Sequence, residues 1–576
     1  MKNYVITFFL LLATQLGAQE ILLLNGKKYR IADIESITMT STRPQLPDVL
    51  AAQGGYSLFS EALEVTGIAD SISYWDTFGT YACANNTGRP GSSFRGPYYV
   101  PADCKIKYSL FAVTDDTFKA MGISTLSDLK AKCAEWYGKA ADWYDYPGKD
   151  KHAISTGDDY TSVYNVLNMF VRYHVIKSGA PVSRLLYEYD AANENWNFAF
   201  GGEPFDYYET LLPHTLVKIW QPLYQNTGEN TNIWVNRWRE NNTLTDEVGT
   251  FGSDATHQIK KTGSLIVRNQ SDIVALNGYI HTINAPLVYD ADVVNGVLNE
   301  RMRVDMGSIL HELSNNGIRY ATSSEIGAMN QEGYDGTMTR LPLDYFENFK
   351  CYTGEKVNLS WYAQGAWRSW QSDQMSMWGT DKGMMDFAFR LPSVPTGTYE
   401  VRIIYPPMAN CGIVYPYIGT SSDTTSMQIL APFDAAYPNS GKAEDRFAIG
   451  LLFSSEFMDY GVASDQTLRS NGYLRAPASF SRGTYNRVKE RIATPEELVA
   501  TVSNCCRYEE GYGTTMLRRI LGTVPIDQRN DNWLRLKIVN TLGGVSSYDQ
   551  FGCSLDFIEL VPTSVVNNPN FSEDWY

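Results

Sequence analysis

The chain has 576 residues, 44% hydrophobic and 19% charged, with 48 basic against 64 acidic side chains and a formal charge of −16. That length exceeds what one hydrophobic core serves, and so modest a charged fraction excludes extended disorder, which leaves two or three domains with connectors. A field of this sign repels phosphate backbones and anionic headgroups, so nucleic acid and direct lipid-headgroup binding are excluded.

Lys2, an apolar run to Ala13 and the small pair Gly17-Ala18 read as a secretory signal peptide over 1–18, cut after Ala18. A membrane anchor fits less well, because the run is short and Thr14 and Gln15 follow it. The first cysteine is Cys83, so a lipidated cysteine just behind the signal is excluded, and no later apolar run is long enough to span a bilayer. The expected location is the periplasm, the outer cell surface or the extracellular space, with no transmembrane segment and no lipid anchor. Residues 19–55 follow as a small hairpin around Asn25-Gly26 and a linker.

From 56 to 289 the pattern is α/β. Tyr56-Ser-Leu-Phe-Ser-Glu-Ala-Leu63 is helical, and residues 71–106 form a long Gly/Pro-rich insertion in which Cys83 and Cys104 are the disulfide candidate. Leu110, Phe111 and Val113 mark a buried strand that turns at Thr114-Asp115 into a helix. Leu126, Leu129, Cys133 and Trp136 form an amphipathic helix opened by Thr125 with Asp128 three residues on. Val163, Val166, Leu167, Phe170 and His174 share another helical face, and that helix should end near Gly179. A second insertion spans 189–208, and 264–274 reads as strand, turn and strand. Asn277-Gly278 then turns the chain into a short strand in which Ile280 and Ile283 flank His281.

Residues 290–344 read as a connector whose first part is helical through Val297, Leu298, Met302, Met306, Ile309, Leu310 and Leu313, capped by Asn315-Asn316-Gly317. From 345 to 564 the pattern is all-β. Alternating strands appear at 387–391 and 397–405, and 533–539 with 551–561 read as a closing pair. Residues 565–576 are a tail. The expected fold class is a multidomain α+β protein, an α/β domain followed by an all-β sandwich.

Three phrases in fixed order carry a resemblance: Tyr108-Ser-Leu-Phe-Ala-Val-Thr-Asp-Asp-Thr-Phe118, Tyr173-His174, and Asn277-Gly-Tyr-Ile-His-Thr-Ile-Asn284. With the helical 56–63 upstream and Leu211-Leu212 between, they resemble the fasciclin-like domain, a secreted or cell-surface module that mostly binds rather than catalyses. Leu555-Asp-Phe-Ile-Glu-Leu-Val561 is similar to the final strand of galactose-binding-like jelly rolls. The layout resembles exported bacterial proteins that accompany surface glycan uptake, and it implies a glycan or protein ligand at the cell surface.

The resemblance gives Tyr173-His174 an adhesive association in some family members. Its position on an apolar helix face, like that of His281 on an apolar strand, favours a satisfied core group instead. Trp361, Tyr362, Trp367, Trp370 and Trp378 form the densest aromatic cluster. Trp361 follows a strand and is expected in the core. Trp367, Trp370 and Trp378, with Gln371 and Asp373, are the candidate glycan platform, since flat rings stack on sugar C–H faces while amides and carboxylates take the hydroxyls.

Catalytic motifs are missing: there is no Gly-x-Ser-x-Gly elbow, Cys-x-x-Cys, His-Glu-x-x-His or P-loop, and His311-Glu312 lacks a second His. All six His lie at or before position 311, so a His base or His-ligated metal is not expected in the C-terminal domain. No cofactor and no metal site are expected. The reading is an exported binding or adhesion protein rather than an enzyme. The alternatives are a glycan-active enzyme using a carboxylate pair in the C-terminal domain, or a structural envelope scaffold.

Overall fold

The computed structural model describes residues 21–24, 27–30, 44–73, 106–144, 154–186, 205–221, 232–239, 259–261, 263–319, 338–341, 346–353, 357–362, 373–379, 384–407, 411–437, 449, 462–475, 516–539 and 551–569. Residues 1–44 form one compact unit and 45–576 the other. In the first, Ile21–Leu24 pairs antiparallel with Lys27–Arg30, the expected hairpin. The expected signal peptide, Cys83, Cys104, Trp367, Trp370 and Gln371 lie outside the described residues.

The second unit mixes helices with several sheets, most of them antiparallel. Its N-terminal half is built on a parallel pair. Gly278–Ile283 runs beside Tyr108–Val113 with Ile280 opposite Leu110, and Ile273–Ala275 and Val175–Ile176 close the two edges. Leu110, Phe111, Ala112 and Val113 are all fully buried, as a strand covered on both faces requires. Local signals set the helix starts: Thr114 accepts from Thr117 to open Asp115–Ala120, and Thr125 with Asp128 makes a reciprocal capping box on Leu126–Tyr137.

The helix expected to reach Gly179 ends earlier. It spans Val166–Tyr173, with His174 as its C-cap, because Val175 and Ile176 are taken by the sheet opposite Leu110 and Ser109. Two β-branched residues beside a strand edge outcompete continuation of the helix.

The connector is likewise only partly helical. Ala291–Leu298 is a helix, but Met302–Asp305 is a strand paired antiparallel with Phe557–Pro562. It begins a five-stranded sheet that continues through Gly397–Tyr405, Leu517–Ile526 and Tyr473–Arg475. A second sheet runs Phe349–Cys351, Met384–Arg390, Trp533–Val539, Ile413–Gly419 and Gln428–Ile429, with Phe433–Asp434 also on Ile413–Gly419. A third joins Met338–Leu341, Val357–Tyr362, Gln374–Gly379 and Phe551–Leu555. Trp533–Val539 therefore does not pair with the end of the chain. The 551–561 run is broken at Asp556, where the chain passes from the third sheet to the first.

A continuous hydrophobic core runs through both halves and contains Trp220, Trp238, Trp361, Tyr173 and Tyr289, all nearly inaccessible. Trp361 is a core residue, as its strand position implies. Among the described residues no helix is long and apolar enough to cross a membrane.

Candidate functional site

The residues of the family-like phrases are built into the core. The Tyr173 hydroxyl donates to the Leu216 carbonyl at 2.9 Å and accepts from the Asn236 amide at 2.8 Å. His174 Nδ1 meets the Phe170 carbonyl at 2.8 Å, while Nε2 accepts the Leu287 N–H at 2.9 Å. Burial lowers the His174 pKa to about 4, so the ring is neutral and both nitrogens serve the backbone. Asn277 accepts the Leu46 N–H at 3.0 Å and donates to the Ile72 carbonyl, tying two N-terminal helices to the sheet. Gly278 packs directly on Tyr108. His281 Nε2 lies 3.0 Å from the Ala180 carbonyl, and burial lowers its pKa to about 4 despite the nearby Asp272 carboxylate. None of Tyr173, His174, Asn277 or His281 is open to solvent.

Trp378 lies in the Gln374–Gly379 strand opposite Asn358 and Gly552. Asp373, expected on an open platform, is instead fully buried. Its Oδ2 lies 3.3 Å from Arg319 Nε, and the guanidinium also reaches Asp206 at 2.8 Å and Asp305 at 3.3 Å. A carboxylate placed beside a buried guanidinium gains a partner there that an aromatic loop does not offer, which draws Asp373 inward.

This arrangement forms a buried acidic centre. Asp305 ends the first strand of the five-stranded sheet, Asp373 precedes Gln374–Gly379, and Asp556 sits at the break between the last two strands. One carboxylate oxygen of each lies within 4.8 Å of the other two. Arg319 takes Asp305 Oδ1 and Asp373 Oδ2, and the Asp305 and Asp373 carboxyls also lie within hydrogen-bonding reach of each other. Burial, opposed by Arg319, pushes the Asp373 carboxyl up to about 8, and burial with the Asp373 charge pushes Asp305 up as well. Converging buried carboxylates need neutralisation, by protons or by a hard divalent cation that oxygen-only donors suit.

A small, narrow cleft lies where the two halves of the unit meet, lined by Lys177, Tyr208, Glu209, Ser308, His311, Asn348 and Arg390. Arg390 grips Glu209 through both terminal nitrogens, one at 3.0 Å, and donates from Nε to Asn348 at 2.8 Å. Ser393 N–H donates to Glu209 at 2.9 Å. Although burial opposes it, the Arg390 charge holds the Glu209 pKa below the usual range. Lys177 Nζ lies 3.1 Å from Glu347, and His311 Nε2 lies 3.6 Å from both Glu312 and Glu347.

Two His residues from outside the β half nevertheless touch it. His214 contacts Asp531 at 3.3 Å and the Gln528 carbonyl, and His311 faces Glu347, because the halves share one core. Sequence spacing missed the cleft and the acidic centre, whose members come from separate elements; His311-Glu312 was the single local trace of either. No family model matches this chain, and no curated protein matches it.

Proposed function

We propose that this is an exported binding protein, with a fasciclin-like α/β half and a galactose-binding-like β half, that captures a glycan at the cell surface or in the periplasm. The observation that carries the reading is the cleft between the halves. Lys177 and Glu347 are part-exposed there beside the His311 imidazole, while Asn348 and Tyr208 form its wall with their polar groups already bonded within the protein. Sugar hydroxyls each donate and accept, so a cleft that alternates donors with acceptors suits them, and junctions between structural halves are frequent ligand sites. The Asn277-Gly278 turn, the parallel pair beside it and the neutral buried His174 support the fasciclin-like part. The pairing of Met302–Asp305 with Phe557–Pro562 supports a sandwich whose first and last strands lie together.

The test is a glycan array on the mature protein, followed by calorimetry of any hit against Lys177→Ala. Lys177 is part-exposed at the cleft rim, so the variant should fold normally and bind the glycan at least tenfold more weakly. No array hit, or unchanged affinity in the variant, overturns the reading and favours a structural scaffold.

A further inference from the structure

We propose that His311, Glu312 and Glu347 form a binding site for a first-row divalent transition-metal ion at the edge of the cleft. One donor atom from each lies within 4.8 Å of the others. His311 Nε2 stands 3.6 Å from Glu312 Oε1 and 3.6 Å from Glu347 Oε2. That separation is too long for a hydrogen bond. It is close to the edge of a coordination tetrahedron, about 3.3 Å when ligands sit about 2.0–2.1 Å from the ion. The imidazole therefore faces both carboxylates without hydrogen-bonding either, as one metal ligand faces the others.

Glu312 supplies the second, independent observation. Its side chain is fully inaccessible, and its Oε2 has no hydrogen-bond partner. The other oxygen accepts the Glu347 N–H at 2.7 Å, which fixes the carboxylate and brings Glu347 to it. A buried carboxylate half-satisfied in this way is costly unless a cation completes it. His311 is nearly buried while Glu347 is 48% exposed, so the site is walled on one side and open on the other. Three protein ligands with an open side leave room for water or a ligand group. An imidazole with two carboxylates selects zinc, manganese or cobalt over calcium or magnesium, which prefer oxygen alone. Lys177 shares Glu347, with Nζ 3.1 Å from Oε1 and 3.4 Å from Oε2, and so competes with the ion. The site stands whether or not the cleft takes a glycan.

The experiment uses full-length mature protein stripped with chelator and titrated with Zn2+ by calorimetry and Co2+ by absorption, without glycan. The expected result is a Zn2+ equivalent that disappears, or weakens about a hundredfold or more, in both His311→Ala and Glu347→Gln. Co2+ should give the visible bands of a low-coordinate nitrogen/oxygen site. Lys177→Ala should tighten Zn2+ binding while weakening glycan, so the two readings fail separately. Glu347→Gln carries the test if His311→Ala does not fold, since its side chain is half exposed. No Zn2+ bound, or the same stoichiometry and affinity in wild type and Glu347→Gln, overturns the proposal.

Discussion

Gly278 lies so close to Tyr108 that a Cβ at 278 would stand 2.0 Å from the Tyr108 carbonyl oxygen. The contact is backbone against backbone across the parallel pair, so neither side can yield by turning a side chain. Gly278→Ala should therefore part the two strands at their entry and cost about 3 kcal/mol or more. Urea unfolding of the variant measures this, and a loss below about 1 kcal/mol would show that the pair relaxes around the methyl group.

His174 makes stability depend on acid. Its folded pKa is depressed by burial to about 4 from a reference of 6.5. As pH falls below 6.5, the unfolded chain takes up a proton that the folded ring refuses. Its contribution is complete above pH 6.5, shrinks as pH drops, and is gone near pH 4, a change of roughly 3 kcal/mol. His174→Gln should flatten this part of the pH–stability curve between pH 6.5 and 4. A ring that titrates near 6.5 in the native protein by NMR would refute the assignment.

Where signals were local, the sequence was readable. Thr114 and the Thr125/Asp128 box state their helix starts within four residues, and the apolar run Leu110–Val113 states a doubly covered strand. Long-range pairing decided the rest. Met302 falls at helical spacing with Leu298 and Met306, yet Arg301, Met302, Arg303, Val304 and Asp305 also alternate. The partner strand Phe557–Pro562 selected the period of two. Asp373 looked exposed beside polar and aromatic neighbours because its partner Arg319 comes from 54 residues away. Glu347, which completes the cluster around His311, arrives from 35 residues beyond Glu312, at no spacing that a metal motif encodes.

Calcium should stabilise the protein through Asp305, Asp373 and Asp556, whose carboxylate oxygens converge in the core. Saturation about a hundredfold above the dissociation constant is worth about 2.7 kcal/mol. Millimolar Ca2+ should thus raise the melting temperature of wild type, and Asp373→Asn should remove that response. A melting temperature indifferent to Ca2+ and Mg2+ would mean that protons and the Arg319 guanidinium suffice to neutralise this centre.

Glu559 is the carboxylate on which four buried guanidiniums converge: Arg303 at 3.0 Å, Arg402 at 3.1 Å, and Arg301 and Arg518 at 3.4 Å. Burial alone would raise its pKa, but the charges of Arg518, Arg301, Arg303 and Arg402 overcome this and bring it to about 2. Because the folded value is depressed, the contribution is present above the ordinary glutamate pKa and is lost as pH falls toward 2. Glu559→Gln keeps the shape and removes the charge, leaving like charges facing one another away from water. Breaking a buried ionic group from one side typically costs about 3–5 kcal/mol. Guanidinium unfolding at pH 7 should show a loss of that size, with Glu559→Asp in between because it retains the charge at a longer reach. The cost in Glu559→Gln should shrink relative to wild type as pH approaches 2, where wild type is itself protonated. A Glu559→Gln variant within about 1 kcal/mol of wild type at pH 7 would show that the arginines find their compensation elsewhere.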